Sequence, residues 1–483
     1  MSAVPAGRPS HPFAQSGALL EGPIVPALLK LAIPIVLATI LQSAYQLTDA
    51  FWVGRLGGAA VAAVSVSFPV IFLMIAVGMG FGVAGSTLVA QYVGARDERM
   101  VNHVAAQTLL MVAVTSILLG ALGYAIAPAL LRLMGVGPDV YPGARQFMRV
   151  SFAGLLVTFG FAMVQAILRG IGEVRLPLAI VLGTVILNFA LDPLFIFGWG
   201  PIAPWGVAGA ALATVGTQTL AAVIGVSVLF SGRYGIHLKA ADCVPDPVFI
   251  RRAFVLGFPA SIEQSARGLG MTVMTFLTAS FGTVAIASYG VGTNVFMFVL
   301  IPAMGLSMAT ATLVGQHIGA GKVARAAEIA RLSAWVSFAV LSVAGLVVFV
   351  AADAVVAFFV PRDPAVIAEC ARFLRIVALT FGLIGAQLAV LGVFRAAGQT
   401  LVTMALALVS QWVVQFPLAY VLSKHTSLGI QGVWWSSPIT TLLMTAVTLG
   451  WYARGEWKTV HLTAEQRLTE QVSEEILVEE GGR

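Results

Sequence analysis

Long apolar segments separated by short polar breaks run through most of the chain. Each segment is long enough for a helix of about 20 residues, which crosses a hydrocarbon core about 30 Å thick. Charged residues and Gly/Pro clusters mark the breaks and predict twelve α-helices. The first six are expected at 26–52, 60–88, 104–127, 147–168, 176–198 and 206–230. The second six are expected at 252–278, 285–313, 329–351, 371–393, 401–422 and 429–452.

The composition agrees with an all-α polytopic membrane protein. Hydrophobic residues make up 59% of the 483 residues, charged residues only 10%, and the mean hydropathy is +0.95. Soluble domains carry roughly 25% charged residues, so a water-soluble globule is excluded. The net charge of +6 does not indicate nucleic-acid binding, because the 27 basic residues are spread singly instead of forming a stripe. Membrane lipids are the expected surroundings.

The distribution of Lys and Arg predicts the orientation. With both termini in the cytoplasm, 18 of these residues fall on the inner side, 8 on the outer side, and Arg267 lies within a helix. Because inner loops of membrane proteins are enriched in Lys and Arg, this orientation in the cell membrane is favoured. The cytoplasmic parts are then an N-terminal tail at 1–25, a linker at 231–251 and a C-terminal tail at 453–483.

The sequence repeats at a spacing of about 225 residues. Residues 80–95 (GFGVAGSTLVAQYVGA) align without gaps on 305–320 (GLSMATATLVGQHIGA), with eight of sixteen positions identical. Further matches in the same order are Pro34 with Pro259, Arg169 with Arg395, and Gly206 with Gly429. A period this long indicates a duplicated domain and not a solenoid. Six helices in each half (26–230 and 252–452) give both halves the same orientation. Parallel repeats of this kind are typical of transporters with alternating access.

Three acidic residues lie inside the predicted helices: Asp49, Asp192 and Glu263. A carboxylate at a helix centre costs about 2.5–3.5 kcal/mol, so each requires a cation, a proton or a partner. Asp49 and Asp192 are expected at similar depth in the outer half of the first lobe. Either they form a functional pair, or they are carboxyls near the outer interface that are solvated or bonded locally.

The surroundings of Asp192 favour the functional interpretation. Asn188 precedes it by one helical turn, and Pro193 frees a backbone carbonyl one turn back. Carboxylate, amide and carbonyl oxygens suit a proton or a small alkali cation. The repeat supplies a control, because the counterparts of the three polar residues in the second half are apolar or aromatic. Asp49, Asn188 and Asp192 correspond there to Met274, Trp412 and Phe416.

Other candidate residues are assigned with alternatives left open. Glu263 precedes Arg267 by four residues, so it forms an ion pair or contacts an ion or drug directly. Pro34 produces a static kink or acts as a hinge in helix 1. Gln42 and Tyr45 precede Asp49 on about the same helix face. Met163 and Gln165 on helix 4 could line the same cavity, and ordinary packing is the alternative for Met163.

Motifs of catalysis and cofactor binding are absent from the sequence. There is no HExxH, GxSxG, Walker A or dinucleotide-binding fingerprint. We therefore expect no enzyme activity and no cofactor other than a coupling ion, H⁺ or Na⁺.

Several segments together resemble the multidrug and toxin extrusion (MATE) family of transporters. They are LAIPIVLATILQSAYQLTDAFWVGRLG (31–57), GSTLVAQYVGA with its repeat TLVGQHIGA, LRGIGEVRLP (168–177) and NFALDP (188–193). The resemblance implies two six-helix lobes around a V-shaped cleft, and export of organic cations in exchange for inward Na⁺ or H⁺. It also implies, for the branch with its cation site in the N-terminal lobe, a site at Asp49, Asn188 and Asp192 and a bending point at Pro34. The threonine of helix 6 in that branch is replaced by Ala210, with Thr214 one turn on.

The resulting hypothesis is a monomeric efflux antiporter for hydrophobic or cationic small molecules. Two alternatives remain. A flippase for lipid-linked substrates would need a cationic cleft, whereas Arg267 is the only basic residue that lies away from the ends of the predicted helices. An intramembrane enzyme would use Asp49 and Asp192 as a catalytic pair, but no nucleophile motif accompanies them.

Overall fold

The computed structural model describes residues 20–200, 203–361 and 363–459, and these parts are almost entirely helical. The first half contains α1 (Ile24–Gly54), α2 (Gly58–Gly94), α3 (Glu98–Leu133), α4 (Tyr141–Ala153), α5 (Leu155–Gly170), α6 (Arg175–Phe197) and α7 (Val207–Phe230). The second half contains α8 (Pro247–Ala279), α9 (Thr283–Gly319), α10 (Val323–Phe359), α11 (Pro364–Ala378), α12 (Phe381–Ala396), α13 (Thr400–Leu408), α14 (Phe416–Lys424) and α15 (Ile430–Arg454). Most of the tails predicted at 1–25 and 453–483 lies outside the described residues.

Several helices are longer than their apolar segments predict. The helix expected at 60–88 runs to Gly94, and the one expected at 104–127 is α3, which begins at Glu98. A helix of 37 residues such as α2 is about 55 Å long and exceeds a hydrocarbon core of about 30 Å. Hydropathy marks only the part in the core, so the polar ends were missed. For the same reason α8 begins at Pro247, inside the segment expected as a linker.

Two expected single helices are each broken into a bent pair. The segment predicted at 147–168 forms α4 and α5, which meet at 48° around Gly154, and the segment predicted at 371–393 forms α11 and α12 at 52°. A Cβ on Gly154 would lie 2.2 Å from Val215 Cγ2, so glycine lets α7 pack against the bend. The helix expected at 401–422 is also interrupted, by a π-helical segment at Val409–Gln415.

Eight helices in the described part of the chain are long and apolar enough to cross a membrane, and the two bent pairs raise this number to ten. Helix α8, expected as the seventh crossing, includes Arg251, Arg252, Glu263 and Arg267 and is outside this set. The structure therefore confirms an all-helical, multi-pass membrane protein. Twelve crossings stay a prediction.

The chain divides into two compact units. The first is built mainly of Leu37–Gly257, and the second contains Ile24–Val36, Phe258–Ile318 and the chain from Lys322 onward. The first unit holds apolar clusters around Phe152, Phe161 and Ile196. The second is centred on Trp434 and Phe381.

Gly206 and Gly429, which the repeat aligns, precede α7 and α15 with the same backbone conformation. Both have φ of 56°, with ψ of −131° and −130°. This region is costly for residues with a Cβ, so glycine is favoured at both helix starts.

Candidate functional site

Two side-chain hydrogen bonds join α1 to α7 in the first unit. The Thr214 hydroxyl donates to Asp49 Oδ2 at 3.2 Å, and the Tyr45 hydroxyl lies 2.7 Å from Thr217 Oγ1. Tyr45 and Asp49 are one turn apart on α1, and Thr214 and Thr217 are about one turn apart on α7. The pairs run in opposite order along the two helices, so α1 and α7 are antiparallel here.

Thr214, and not Ala210, brings a hydroxyl to Asp49. Ala210 is buried in an apolar cluster with Val53 and Ile196, where a hydroxyl would lose its solvation. The hydroxyl that contacts Asp49 therefore lies one turn further along α7 than the position at which the resemblance implies a threonine.

Asn188 and Asp192 form the part of the site contributed by α6. Both side chains are completely buried. The Asn188 amide donates to Asp192 Oδ1 at 3.1 Å across one helical turn. The spacing in the sequence predicts this shared face, and the structure confirms it.

The carboxyl groups of Asp49 and Asp192 come together in one cluster. Asp49 interacts with Asp192 and with Asn188, so α1, α6 and α7 all contribute. Three oxygens of the cluster are buried without a hydrogen-bond partner in the described residues: Asp49 Oδ1, Asn188 Oδ1 and Asp192 Oδ2. Within the same residues no ion pair neutralises either carboxyl. Asp192 is completely buried, and Asp49 is partly exposed with a buried Oδ1. Two adjacent carboxylates with buried, unpaired oxygens are strongly unfavourable, so the cluster requires a proton or a cation.

Aromatic side chains pack beside the cluster. Trp52 on α1 contacts Phe189 and Phe197 of α6, with ring centroids 5.9 and 6.3 Å apart. The guanidinium of Arg55 lies 5.1 Å from the Trp52 ring centre. These aromatic rings therefore join the Arg55 end of α1 to α6. No local pattern in the sequence marks Trp52 or Thr217 as functional, because neither is polar enough to stand out in an apolar helix.

The other residues predicted to line a cavity in the first unit, Gln42, Met163 and Gln165, differ in their burial. Met163 and Gln165 on α5 are buried, and a Cβ on Gly85 would lie 2.8 Å from the Met163 sulfur. Met163 is thus packed against α2. Gln42 is exposed. The hydrogen bonds of the described residues do not connect these three side chains to Asp49, and their role in a substrate cavity stays a prediction.

Glu263 lies in the second unit and is paired with two arginines. Its Oε1 accepts from Arg267 at 3.1 Å, the expected partner, and from Arg395 of α12 at 2.5 Å. Glu263 is 1% exposed, whereas Arg395 is 18% and Arg267 41% exposed. Arg395 was missed as a partner, although the repeat aligns it with Arg169 and so marked the position.

Pro34 lies inside α1, which is continuous from Ile24 to Gly54. The division between the two compact units falls between Val36 and Leu37, within one turn of this proline. Pro259 lies similarly close to the division between Gly257 and Phe258.

Comparison with known proteins places these features in context. A model of the MatE family matches residues 34–194 and again 259–421. The probable multidrug resistance protein YoeA of Bacillus subtilis is 29% identical over 439 residues, which cover 89% of this chain and 94% of the relative. The probable multidrug resistance protein NorM of Deinococcus radiodurans is 30% identical over 420 residues, covering 84% and 90% of the two chains.

A solved structure shares the fold. The outward-facing conformation of a multidrug resistance MATE family transporter of the MOP superfamily superimposes with a TM-score of 0.83 at 25% identity. The match covers 92% of this chain and 98% of that structure's chain.

Proposed function

The chain belongs to the MatE family of membrane transporters, and on that premise we propose that it is an antiporter for multidrug efflux. It would export hydrophobic or cationic small molecules in exchange for inward H⁺ or Na⁺. Membership in a transporter family, and not in a family of enzymes, argues against the intramembrane enzyme considered above. The two matches of the family model, beginning at Pro34 and Pro259, support two parallel repeats.

The coupling ion binds, in this proposal, at Asp49, Asn188, Asp192 and Thr214. The observation that carries it is the pair of carboxyl groups with three buried oxygens that lack a donor in the described residues, Asp49 Oδ1, Asn188 Oδ1 and Asp192 Oδ2. A proton would satisfy one carboxyl and let it donate to the other. A Na⁺ ion would instead use the oxygens as hard ligands. Both fit the chemistry of the cluster.

Exchange follows if drug and ion compete for the same charges. A cationic substrate held by apolar walls would be stabilised by the ionised carboxyls, and binding of H⁺ or Na⁺ would remove that stabilisation. Because coupling between two ligands is reciprocal, the drug lowers the affinity for the ion by the same factor. Gln42, Tyr45, Met163, Gln165 and Glu263 remain the proposed cavity residues.

Pro34 is the proposed hinge of α1. Proline removes one backbone hydrogen bond and lets a helix bend there at lower cost. Its position within one turn of the division between the two units supports this role. Bending would change the cavity beside Asp49 as the two lobes alternate in access around a central cleft.

The protein acts, in this proposal, as a monomer in the cell membrane with both termini in the cytoplasm. The 18 Lys and Arg residues on the inner side support this orientation. A cysteine introduced at the exposed position Ser231 should then react with a membrane-impermeant thiol reagent only from the cytoplasmic side.

Transport by purified protein in liposomes tests the proposal. Ethidium efflux should follow an imposed pH or Na⁺ gradient in the wild type, and D49N and D192N should each reduce it by about tenfold or more. The matched control is D353N, which removes a carboxylate that is paired with Arg375 at the end of α10 in the other unit. Gradient-driven efflux that both site variants retain in full would contradict the site. The absence of efflux in the wild type, with an intact fold, would contradict the function.

A further inference from the structure

The second unit contains a cavity of about 630 Å³ between α10, α12 and α15. The cavity lies at the start of α10 and the end of α15. It is therefore on the same side of the membrane as the C-terminal tail. In the proposed topology this is the cytoplasmic face. The cavity belongs to the second unit alone and contains no residue of the Asp49 cluster or of the Glu263 ion pairs. The proposed transport cycle leaves it without a role.

Apolar side chains line the inside of the cavity, and one end of it carries basic and aromatic side chains. Leu383, Ala386 and Val390 of α12 form the apolar wall, and Arg331 and Trp335 of α10 are exposed beside it. Tyr452 of α15 lies close enough to Arg331 for electrostatic interaction. Trp and Tyr are enriched where a membrane protein passes the lipid headgroups, so this end of the cavity has the character of the interface.

Arg331 keeps its charge available to a ligand. Glu328 is one turn away and also lines the cavity, but in the described part of the chain no carboxylate lies within ion-pair distance of the Arg331 guanidinium. Near the end of α15, Arg454 and Lys458 carry two positive charges against the one negative charge of Glu456. The mouth of the cavity therefore favours an anionic group.

Thr445 provides a second, independent sign of a ligand. Its side chain lines the cavity and is only 3% exposed, and its hydroxyl has no hydrogen-bond partner in the described residues. Buried hydroxyls normally find an acceptor, because a hydroxyl removed from water without one loses a hydrogen bond. An ester carbonyl inserted into the cavity would supply it.

The duplication offers an internal comparison. At the repeat spacing of 225 residues, Arg331 and Trp335 correspond to Ala106 and Leu110 of α3. The basic and aromatic pair is therefore confined to the second half. A feature required only for packing of the repeat would be expected in both halves.

We propose that this cavity binds an anionic diacyl glycerophospholipid of the cytoplasmic leaflet. One acyl chain lies against α12, an ester carbonyl accepts from Thr445, and the phosphate accepts from Arg331. Basic pockets between membrane helices on the cytoplasmic side are suited to anionic headgroups. A lipid is preferred to a cationic drug because Arg331, which no carboxylate pairs within the described residues, favours an anionic phosphate at the mouth.

Native mass spectrometry of the purified full chain in detergent tests the site. Phosphatidylglycerol is added to one sample and phosphatidylcholine with the same acyl chains to another. The wild type should retain phosphatidylglycerol preferentially. R331Q should lower its affinity about tenfold, because it removes a charge-assisted hydrogen bond to the phosphate, and R331K should keep the preference. The matched control is R454Q, which removes a charge at the same face from a residue that does not line the cavity.

Two further variants distinguish binding of the apolar part of the lipid from binding of its headgroup. A334W narrows the cavity and should weaken both lipids, and T445V should weaken both without changing the preference. Three results would overturn the proposal: no preference in the wild type, equal loss in R331Q and R454Q, or loss of dimers instead of lipid in A334W. The last would identify this face as a contact between two copies.

Discussion

The hydroxyl oxygen of Tyr45 lies 2.7 Å from Oγ1 of Thr217. Thr217 already donates to a carbonyl of its own helix, at Ala213 or Thr214, so Tyr45 is the donor and Thr217 the acceptor. Tyr45 lies one turn from Asp49 on α1. The contact therefore fixes α1 against α7 next to the carboxyl cluster.

Replacing Tyr45 by Phe removes this donor and keeps the aromatic ring. We expect a loss of about 1 kcal/mol in stability and, through the looser position of Asp49, weaker dependence of efflux on the ion gradient. T217V should have a similar effect, and the double variant should be less destabilised than the sum of the two. Thermal unfolding in detergent measures the stability, and ethidium efflux measures the dependence on the ion gradient. Y420F, which changes an exposed tyrosine on α14, is the control, and strictly additive effects would refute the contact.

The arginines around Glu263 should differ in their contribution to stability. Removing one partner of a buried ion pair leaves a buried charge and costs about 3–5 kcal/mol, whereas exposed pairs contribute about 0–1 kcal/mol. Because Arg395 is 18% and Arg267 41% exposed, R395Q should lower the unfolding temperature clearly more than R267Q. E263Q should be as harmful as R395Q. Equal effects of the two arginine variants would contradict the assigned pairing.

Gln107 holds the segment that precedes α8 in the first unit. Its amide nitrogen donates to the carbonyls of Asp242 and Val244, and its oxygen accepts from the Asp246 backbone. Q107L should leave these three backbone groups unpaired and increase deuterium uptake at residues 241–246. Q431L, at a partly buried position on α15, is a suitable control. Unchanged uptake in Q107L would show that other contacts hold the segment.

Asp246 should make the start of α8 sensitive to acid. Backbone hydrogen bonds, the strongest from Phe249, and the contact with His103 hold the pKa of its carboxyl below the ordinary value of 3.8. A carboxyl whose pKa is lower in the folded state stabilises the fold above its unfolded pKa, and this stabilisation is lost as the pH falls through the folded value. Protection of the Val248 and Phe249 amides should therefore decrease below about pH 4. Deuterium labelling during incubation at pH 6 and during incubation at pH 3, each corrected for the intrinsic amide exchange rate at that pH, measures this.

The control for this acid effect is D246N. It keeps an acceptor oxygen but cannot titrate, so the difference in protection between the two incubations should vanish. If D246N retains the full difference, another group is responsible.

The candidate cation site was largely predictable from the sequence. A carboxylate stands out inside an apolar helix because of its cost, and the spacing of Asn188 and Asp192 by one turn already placed them on one face. No local pattern predicts that the packing of α1, α6 and α7 brings Asn188 and Asp192 together with Asp49. The role of Thr217 and the packing of Met163 against Gly85 also depend on neighbours far away in the chain.

The sequence by itself determined the membrane class, the approximate positions of the helices and the repeat, because hydropathy and spacing are properties of the chain alone. The tertiary structure decided where helices bend and which side chains meet. Gly154 accommodates a bend because Val215 of α7 packs there, and Glu263 is balanced by Arg395 from a helix 132 positions further on. Such partners follow from how helices pack in three dimensions, and no periodicity within a single helix encodes them.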